Sequence, residues 1–471
     1  MLEPLWQWVD LVAAAQGHAE GTPKAPITGF SIDTRTLQPG DVFVALKYNR
    51  DGHDFVGQAF AAGAVAALVG YGYPRAKSDG ALLRADDPLE ALAGIGRAAR
   101  ARSNARIAAI TGSVGKTGTK EMLWLCLETA GATHASEKSY NNHWGVPLTL
   151  ARMPQIAAYG VFEIGMNHAG EIAPLAQLVR PHVVVITAVE PVHLGYFKSI
   201  EEIAEAKAEI LQGLVPGGTA ILPRDNAHFA ALRARAAAVG ASIVGFGLHE
   251  EADVRGLQAN LDEKGSSVIA GVGSKRFSYR VGAPGEHYVK NSLAVLAALN
   301  ALGVDAMRAL PALARIAPPA GRGARTVLDG GERKILLIDE SYNANPASVR
   351  AALAAMATTP RDAFPRRVAV LGDMLELGEA SAELHRSLKE AVDAAGVDLV
   401  LACGPMMKLL LDDLATAKRG SWAASSTELM AALLDAVRPG DVVMIKGSLG
   451  TNMAPLVEAM LKRWRPAGPG G

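Results

Sequence analysis

Cysteine is scarce in this chain: Cys126 and Cys403 are the only two among 471 residues. They are too few and too far apart for a disulfide framework or a zinc site, and both are expected to be small buried apolar residues. An excess of charge is missing as well, since 47 Lys and Arg balance 47 Asp and Glu. No net field draws the chain onto nucleic acid or an anionic membrane, so a small-molecule substrate is the better expectation. Long hydrophobic runs are also lacking. Val183 to Val189 has strand length, well short of the roughly 18 residues a membrane span needs, and no membrane insertion is expected. Met1 to Gly17 carries Glu3 and Asp10 without the basic start of a secretory signal, which points to the cytoplasm. No fixed-period repeat is present, and low complexity is confined to the Pro/Gly tail at 466–471.

What is present is a globular composition, 49% hydrophobic and 20% charged, in a chain long enough for roughly three domains. From Ile107 onward, short β-branched runs alternate with amphipathic stretches, the pattern of a parallel sheet covered by helices. Strands are expected at Arg106 to Ile110, Gly160 to Ile164, His182 to Ala188 and Gly218 to Leu222. Polar, Gly-punctuated alternation between Val254 and Val281 suggests antiparallel strands at the edge of that sheet.

The Pro/Gly-rich segment Ala317 to Gly323 reads as a linker. Beyond it the alternation restarts, with strands expected at Lys334 to Asp339, Arg367 to Leu371, Asp398 to Ala402 and Asp441 to Ile445, and helices after Pro346, Ala380 and Met453. Residues 1–103, 104–318 and 319–471 are thus the expected domains. In the first, Gly40 to Leu46 is strand-like, and a helix begins at Asp86-Asp87-Pro88, an acidic cap with proline in the first turn.

Ile107 to Ile110 runs into Thr111-Gly112-Ser113-Val114-Gly115-Lys116-Thr117 and then a helix-compatible stretch. Glycines let backbone N–H groups converge on phosphate oxygens while the helix presents its positive end. Lys116 then neutralises β- and γ-phosphate charge and Thr117 ligates Mg²⁺. The spacing is shorter than the usual phosphate loop, because Ile110 stands at its first glycine; a tight turn that binds nothing is the alternative.

Glu163 and His193 each follow an apolar strand, at the sheet edge where α/β folds bind ligands, and are candidate Mg²⁺ ligands. On the helix expected from Ile200 to Leu214, Lys207 falls on the stripe formed by Ile203, Ile210 and Leu214. An inward lysine favours its neutral amine, which reacts with CO2 to give a carbamate able to ligate a second Mg²⁺. The competing reading packs the stem and lets the charge snorkel outward.

These residues, together with Lys138-Ser139-Tyr140-Asn141-Asn142, Gly145-Val146-Pro147-Leu148-Thr149, Glu163-Ile164-Gly165-Met166-Asn167, Asp339-Glu340-Ser341-Tyr342-Asn343-Ala344-Asn345-Pro346 and Leu371-Gly372-Asp373-Met374-Leu375-Glu376-Leu377-Gly378, resemble the Mur ligases of peptidoglycan synthesis. The resemblance implies three α/β domains: a small N-terminal one, a central P-loop mononucleotide-binding parallel sheet with flanking helices, and a C-terminal Rossmann-like one. It further implies ATP, UDP-N-acetylmuramoyl-tripeptide and D-alanyl-D-alanine as partners of a monomer that works through an acyl-phosphate.

On the same basis Lys116, Lys207, Arg322 and His193 would be catalytic, with Lys207 carbamylated and two Mg²⁺ ions bound through Thr117, Glu163, His193 and that carbamate. Gly112 to Thr117, His287, Asn291, Arg322, Asp339 and Glu340 would meet ATP. Ser31, Asp33, Arg35, Asp51 and His53 would meet the UDP-linked substrate, although turn chemistry is an alternative for them, and Asn141 and Asn142 would bind substrate. Asn343, Asn345, Asp373, Lys446 and Ser448 would surround the dipeptide. Two departures stand out: Leu449 replaces an arginine common in relatives, and Lys47-Tyr48 lacks the glycine that often follows the lysine. Rival readings are another ligase of the superfamily and a P-loop ATPase that ligates nothing.

Overall fold

The computed structural model describes residues 4–137, 139–191, 195–262 and 264–467. Three β-sheets, each with helices packed on it, follow one another along the chain. The first contains β1 (His18–Glu20), β2 (Gly29–Ser31), β3 (Asp41–Val44), β4 (Ala66–Gly70) and β5 (Ala81–Ala85), in the order β1-β5-β4-β3-β2. Its strands are parallel except β1, which lies antiparallel to β5. The helix Pro88–Arg102 follows, capped by the Asp87 side chain on the Leu89 N–H with proline in its first turn.

The central sheet holds β6 (Arg106–Thr111), β7 (Thr133–Ala135), β8 (Tyr159–Glu163), β9 (Val183–Ile186), β10 (Thr219–Pro223), β11 (Ser242–Gly247), β12 (Val254–Asp262), β13 (Gly265–Val272) and β14 (Lys275–Val281). The order is β14-β13-β12-β11-β10-β9-β6-β8-β7, with the expected antiparallel β12, β13 and β14 at one edge. Alternation along the strands explains why the sheet is buried on both faces. Ala108, Ile110, Val183 and Val185 enter one core, while Ile107, Ala109, Val184 and Ile186 enter the other. From β6 the chain moves to β7 and β8 on one side and later to β9 on the other. That reversal opens a crevice at the carboxyl ends of β6, β8 and β9, where an α/β sheet binds its ligand.

The third sheet contains β15 (Ala324–Leu328), β16 (Ile335–Glu340), β17 (Arg366–Gly372), β18 (Leu399–Cys403), β19 (Arg419–Ala423) and β20 (Asp441–Lys446), ordered β15-β16-β20-β17-β18-β19. Its first strand pairs antiparallel with β16 and was not expected. One helical expectation also needs correction. The helix placed over Ile200 to Leu214 is α-helical only to Ala208 and tightens to a 3-10 turn over Glu209–Gly213. At the change, the Glu209 carboxylate accepts the N–H groups of Gly170, Ile172 and Ala173, tying this segment to the start of the helix Ile172–Val179. The helix expected after Ala380 is present as two short segments, Ser381–Arg386 and Lys389–Ala394. Cys126 and Cys403 are free and buried, as expected. Among the described residues no helix is long and apolar enough to cross a membrane.

His385 is fully buried in the third unit, where its Nε2 accepts the Met374 N–H at 2.9 Å and its Nδ1 donates to the Ser381 carbonyl at 2.6 Å. Burial lowers its pKa, against opposing pulls from Ser381 and Asp373. The unfolded chain takes up a proton near the ordinary histidine value of about 6.5, whereas the folded ring stays neutral to lower pH. Its contribution is therefore complete above that pH and is lost as pH falls below it. His385→Gln is expected to lower Tm at neutral pH and to flatten the decline of Tm between about pH 7 and 5, read by calorimetry.

Candidate active site

The loop after β6 is shaped by two glycines in left-handed backbone, Gly112 with φ 149° and Gly115 with φ 83°. A Cβ at Gly112 would lie 1.9 Å from Thr187 Oγ1, and one at Gly115, in left-handed backbone, would lie 2.8 Å from Asn291 Oδ1, so both positions favour glycine. The end of β9 clamps the loop: Ser113 N–H donates to the Ala188 carbonyl at 2.8 Å, and Ser113 Oγ to the Glu190 carbonyl at 3.0 Å. The helix Lys116–Leu127 begins immediately, so its free N–H groups face the crevice. Lys116 Nζ donates to the Gly112 carbonyl at 2.7 Å, folded back over its own loop. Burial pushes its pKa down, Glu163 opposes that, and the Arg322 charge adds to the depression.

Glu163 ends β8 and is 1% exposed. Its two oxygens accept from Thr117 Oγ1 at 2.8 Å and Asn141 Nδ2 at 2.7 Å. Lys207 is 2% exposed, and its pKa is pushed well below the ordinary lysine range, by burial first and by the Lys116 charge second. The inward stripe read from the sequence is thus real, and snorkelling to solvent is excluded. His193 and Lys138 lie outside the described residues.

The linker delivers Arg322 from the third unit to the central one. Its Nη2 donates to Ser139 Oγ at 3.2 Å and its guanidinium lies 4.3 Å from the Tyr342 ring centroid. Asp339 holds the linker in place: its carboxylate accepts from Gly321 N–H at 2.8 Å and Ser341 Oγ at 2.6 Å. Glu340, next along the strand, accepts from Lys446 Nζ at 3.1 Å, and Lys446 also donates to the Asn343 carbonyl at 2.9 Å.

Asn345 caps the helix Pro346–Ala357 in a reciprocal box with Ser348. Asp373 accepts the Met406 and Met407 N–H groups at the start of the helix Pro405–Asp413. Ser448 Oγ accepts from Leu375 N–H and donates to the Ala344 carbonyl, joining three loops.

In the first unit, Ser31 Oγ donates to the Asp33 carbonyl and Asp33 pairs with Arg35 at 2.6 Å. Asp51 lies 2.6 Å from His53 Nδ1, while His53 Nε2 accepts the Gly70 N–H. Burial opposes ionisation of Asp51, but hydrogen bonds from His53 and Lys47 prevail and hold its carboxyl down to about 2.

A cavity of about 1420 Å³ collects Ser113, Val114, Gly115, Lys116, Thr117, Asn141, Asn142, Glu163, His287, Asn291, Arg322, Glu340, Asn343, Asn345 and Lys446. The remaining expected residues do not line it: Gly112 forms the loop floor, Lys207 is packed behind, and Asp339, Asp373 and Ser448 brace the third unit. Ser31, Asp33, Arg35, Asp51 and His53 lie on the first unit away from it. The cavity wall also includes Thr187, Glu190, Tyr342, Arg350 and Arg97, which sequence reasoning missed. Position after β9 could have flagged Thr187 and Glu190, and Tyr342 sits within the Asp339 to Pro346 motif; Arg350 and Arg97 carry no local signal.

A phosphate-binding loop, a buried carboxylate beside its threonine and cations delivered from a second α/β unit define a P-loop enzyme that handles nucleotide phosphate. Residues 110–299 match the Mur ligase middle domain and residues 325–449 the Mur ligase, glutamate ligase domain. The UDP-N-acetylmuramoyl-tripeptide:D-alanyl-D-alanine ligase of Escherichia coli is 34% identical over 437 residues, covering 91% of this chain and 93% of that one.

Among solved structures, the Acinetobacter baumannii UDP-N-acetylmuramoylalanyl-D-glutamyl-2,6-diaminopimelate:D-alanyl-D-alanyl ligase superposes with a TM-score of 0.81 at 29% identity, over 97% of this chain and 98% of that one. The MurF ligase of Thermotoga maritima in complex with ADP gives 0.75 at 25% identity, over 93% and 97%. The chain belongs to the Mur ligase family, and is an ATP-dependent ligase of peptidoglycan precursor synthesis.

Proposed function

We propose that this enzyme joins D-alanyl-D-alanine to the terminal carboxylate of UDP-N-acetylmuramoyl-tripeptide, with ATP converted to ADP and phosphate. The observation that carries the reading is the continuity of one cavity from Lys116 and Glu163 of the central unit to Lys446 and Asn343 of the third. That continuity lets an activated carboxylate and an incoming amine meet without crossing solvent. Residues 1–103 are assigned to the UDP-linked substrate, with the turns around Ser31, Asp33, Arg35, Asp51 and His53 as contacts. Residues 104–318 are assigned to ATP and 319–471 to the dipeptide. The enzyme is proposed to act as a monomer in the cytoplasm, where both nucleotides are held.

A carboxylate repels nucleophiles, so it must first become an acyl-phosphate. The loop amides and Lys116 bind the β- and γ-phosphates, and Arg322, already at the rim, adds charge against the transferred phosphoryl group. His287 and Asn291 are assigned to the nucleotide base side, and Glu340 to the ribose; Asp339 positions this segment through Gly321 and Ser341. The dipeptide lies between Asn343, Asn345 and the Lys446 to Ser448 turn, which Asp373 braces through the Ser448 N–H. The amine, with an ordinary pKa of about 7.7 to 8.0, needs little help to lose its proton. Attack on the acyl carbon expels phosphate and leaves the amide. The backbone bond from Gly195 N–H to the Glu376 carbonyl at 2.9 Å and the Arg322–Ser139 bond hold the third unit against the central one, which suits exclusion of water.

Thr117 and Glu163 fit Mg²⁺, since a hydroxyl and a carboxylate 2.8 Å apart are the hard oxygen donors that ion prefers. Bound there, the ion supplies further positive charge to the phosphates. A second Mg²⁺ is assigned to His193 and to Lys207 as its carbamate. The neutral Lys207 amine adds to CO2, forming the N–C bond and releasing one proton.

Phosphate release is the direct test. It is expected only when ATP, the UDP-linked tripeptide and D-alanyl-D-alanine are all present, with the pentapeptide appearing by mass. ATP hydrolysis indifferent to both acceptors would identify an ATPase module instead.

A further inference from the structure

The cavity does not stop at the phosphate loop. It continues between the helix Pro88–Arg102 of the first unit and the helices Gly145–Ala151 and Ile172–Val179 of the central one. This lobe has an apolar wall, Pro147, Leu175 and Leu178, and faces Glu90, Ala93 and Arg97. Three and four residues apart, those last three share one helical stripe. Glu90 and Arg97 are about 10 Å apart along the axis, two turns, which is too far for the usual pair, and Ala93 leaves a gap between them.

The other arginines nearby are committed: Arg100 Nε donates to the Val179 carbonyl at 2.8 Å and Arg102 Nη2 to the Leu5 carbonyl at 2.9 Å. Among the described residues neither Arg97 nor Glu90 has a hydrogen-bond or ion-pair partner. An apolar wall facing one cation and one anion suits a short aliphatic stem that ends in both an ammonium and a carboxylate.

We infer that this lobe receives the side chain of the third peptide residue and that Arg97 selects diaminopimelate over lysine. The inference rests on the ligase reading above. Both residues present the reacting α-carboxylate on a similar stem, but only diaminopimelate ends in a second carboxylate for a guanidinium to bind. Lysine ends in an ammonium alone, which Glu90 satisfies and Arg97 repels.

The test compares kcat/KM for UDP-muramoyl tripeptides ending in diaminopimelate and in lysine. The wild-type enzyme is expected to favour the diaminopimelate substrate by about tenfold or more, the low end for a charge-assisted hydrogen bond. Arg97→Leu should erase most of that ratio by losing more on diaminopimelate than on lysine, and Arg97→Lys, which keeps the charge, should retain part of it. Equal use of the two tripeptides by wild type, preference for lysine, or an equal loss on both in Arg97→Leu overturns the inference while the ligase reading stands. Absence of product from either tripeptide with wild type overturns both.

Discussion

Replacing Lys116 with alanine is expected to cut pentapeptide formation by about a thousandfold, the scale seen when a charge aimed at a transferred phosphoryl group is removed. The fold should survive, because the Lys116 ammonium bonds only to carbonyls of its own loop, Gly112 and Ser113. The loop is held independently by Ser113, Thr187 and the glycine conformations. Product measured by mass and Tm measured in parallel separate the two effects. An active K116A enzyme would remove the basis for placing ATP here. Lys116→Arg should not rescue, since a planar fork is larger than the point charge this turn accommodates.

The second large effect concerns Lys207. Its amine is buried, lies within the field of Lys116 and titrates well below the ordinary lysine range. Below the ordinary pKa of about 10.4 the unfolded chain holds a proton on this amine that the folded chain binds less tightly, so its burial disfavours folding there. Lys207→Met keeps the volume and removes that cost. The variant is expected to have an unchanged or higher Tm, yet to lose about a hundredfold in kcat, the loss typical of a missing preorganised group. Intact mass in bicarbonate buffer should show one added CO2 on wild type and none on the variant. A K207M enzyme with normal kcat would reduce Lys207 to packing.

Much of the catalytic loop was legible because its information is local. The run from Ile107 to Thr117 states strand, glycine turn and helix start within a dozen residues. Lys207 was legible through its spacing from Ile203 and Ile210, which helical geometry alone converts into a shared face. Asn345 and Asp373 were harder. Their motifs named them as expected substrate contacts, and what the structure shows is a capping role for each that local sequence did not reveal. The short β1, β2 and β15 were missed because three to five residues hold too little periodicity to register, and their existence depends on partner strands elsewhere.

The sequence by itself determined the order of α/β elements, the phosphate turn, the inward lysine and the family. Those follow from neighbours a few residues apart, whose backbone preferences and facing are settled by chain geometry. Only the tertiary structure decided that Arg322 reaches Ser139, that Lys446 meets Glu340 and that Arg97 opens on the same cavity as Lys116. These groups are separated by as many as 183 residues in the bonds that join them. Their meeting is set by how three sheets pack, which no local pattern encodes.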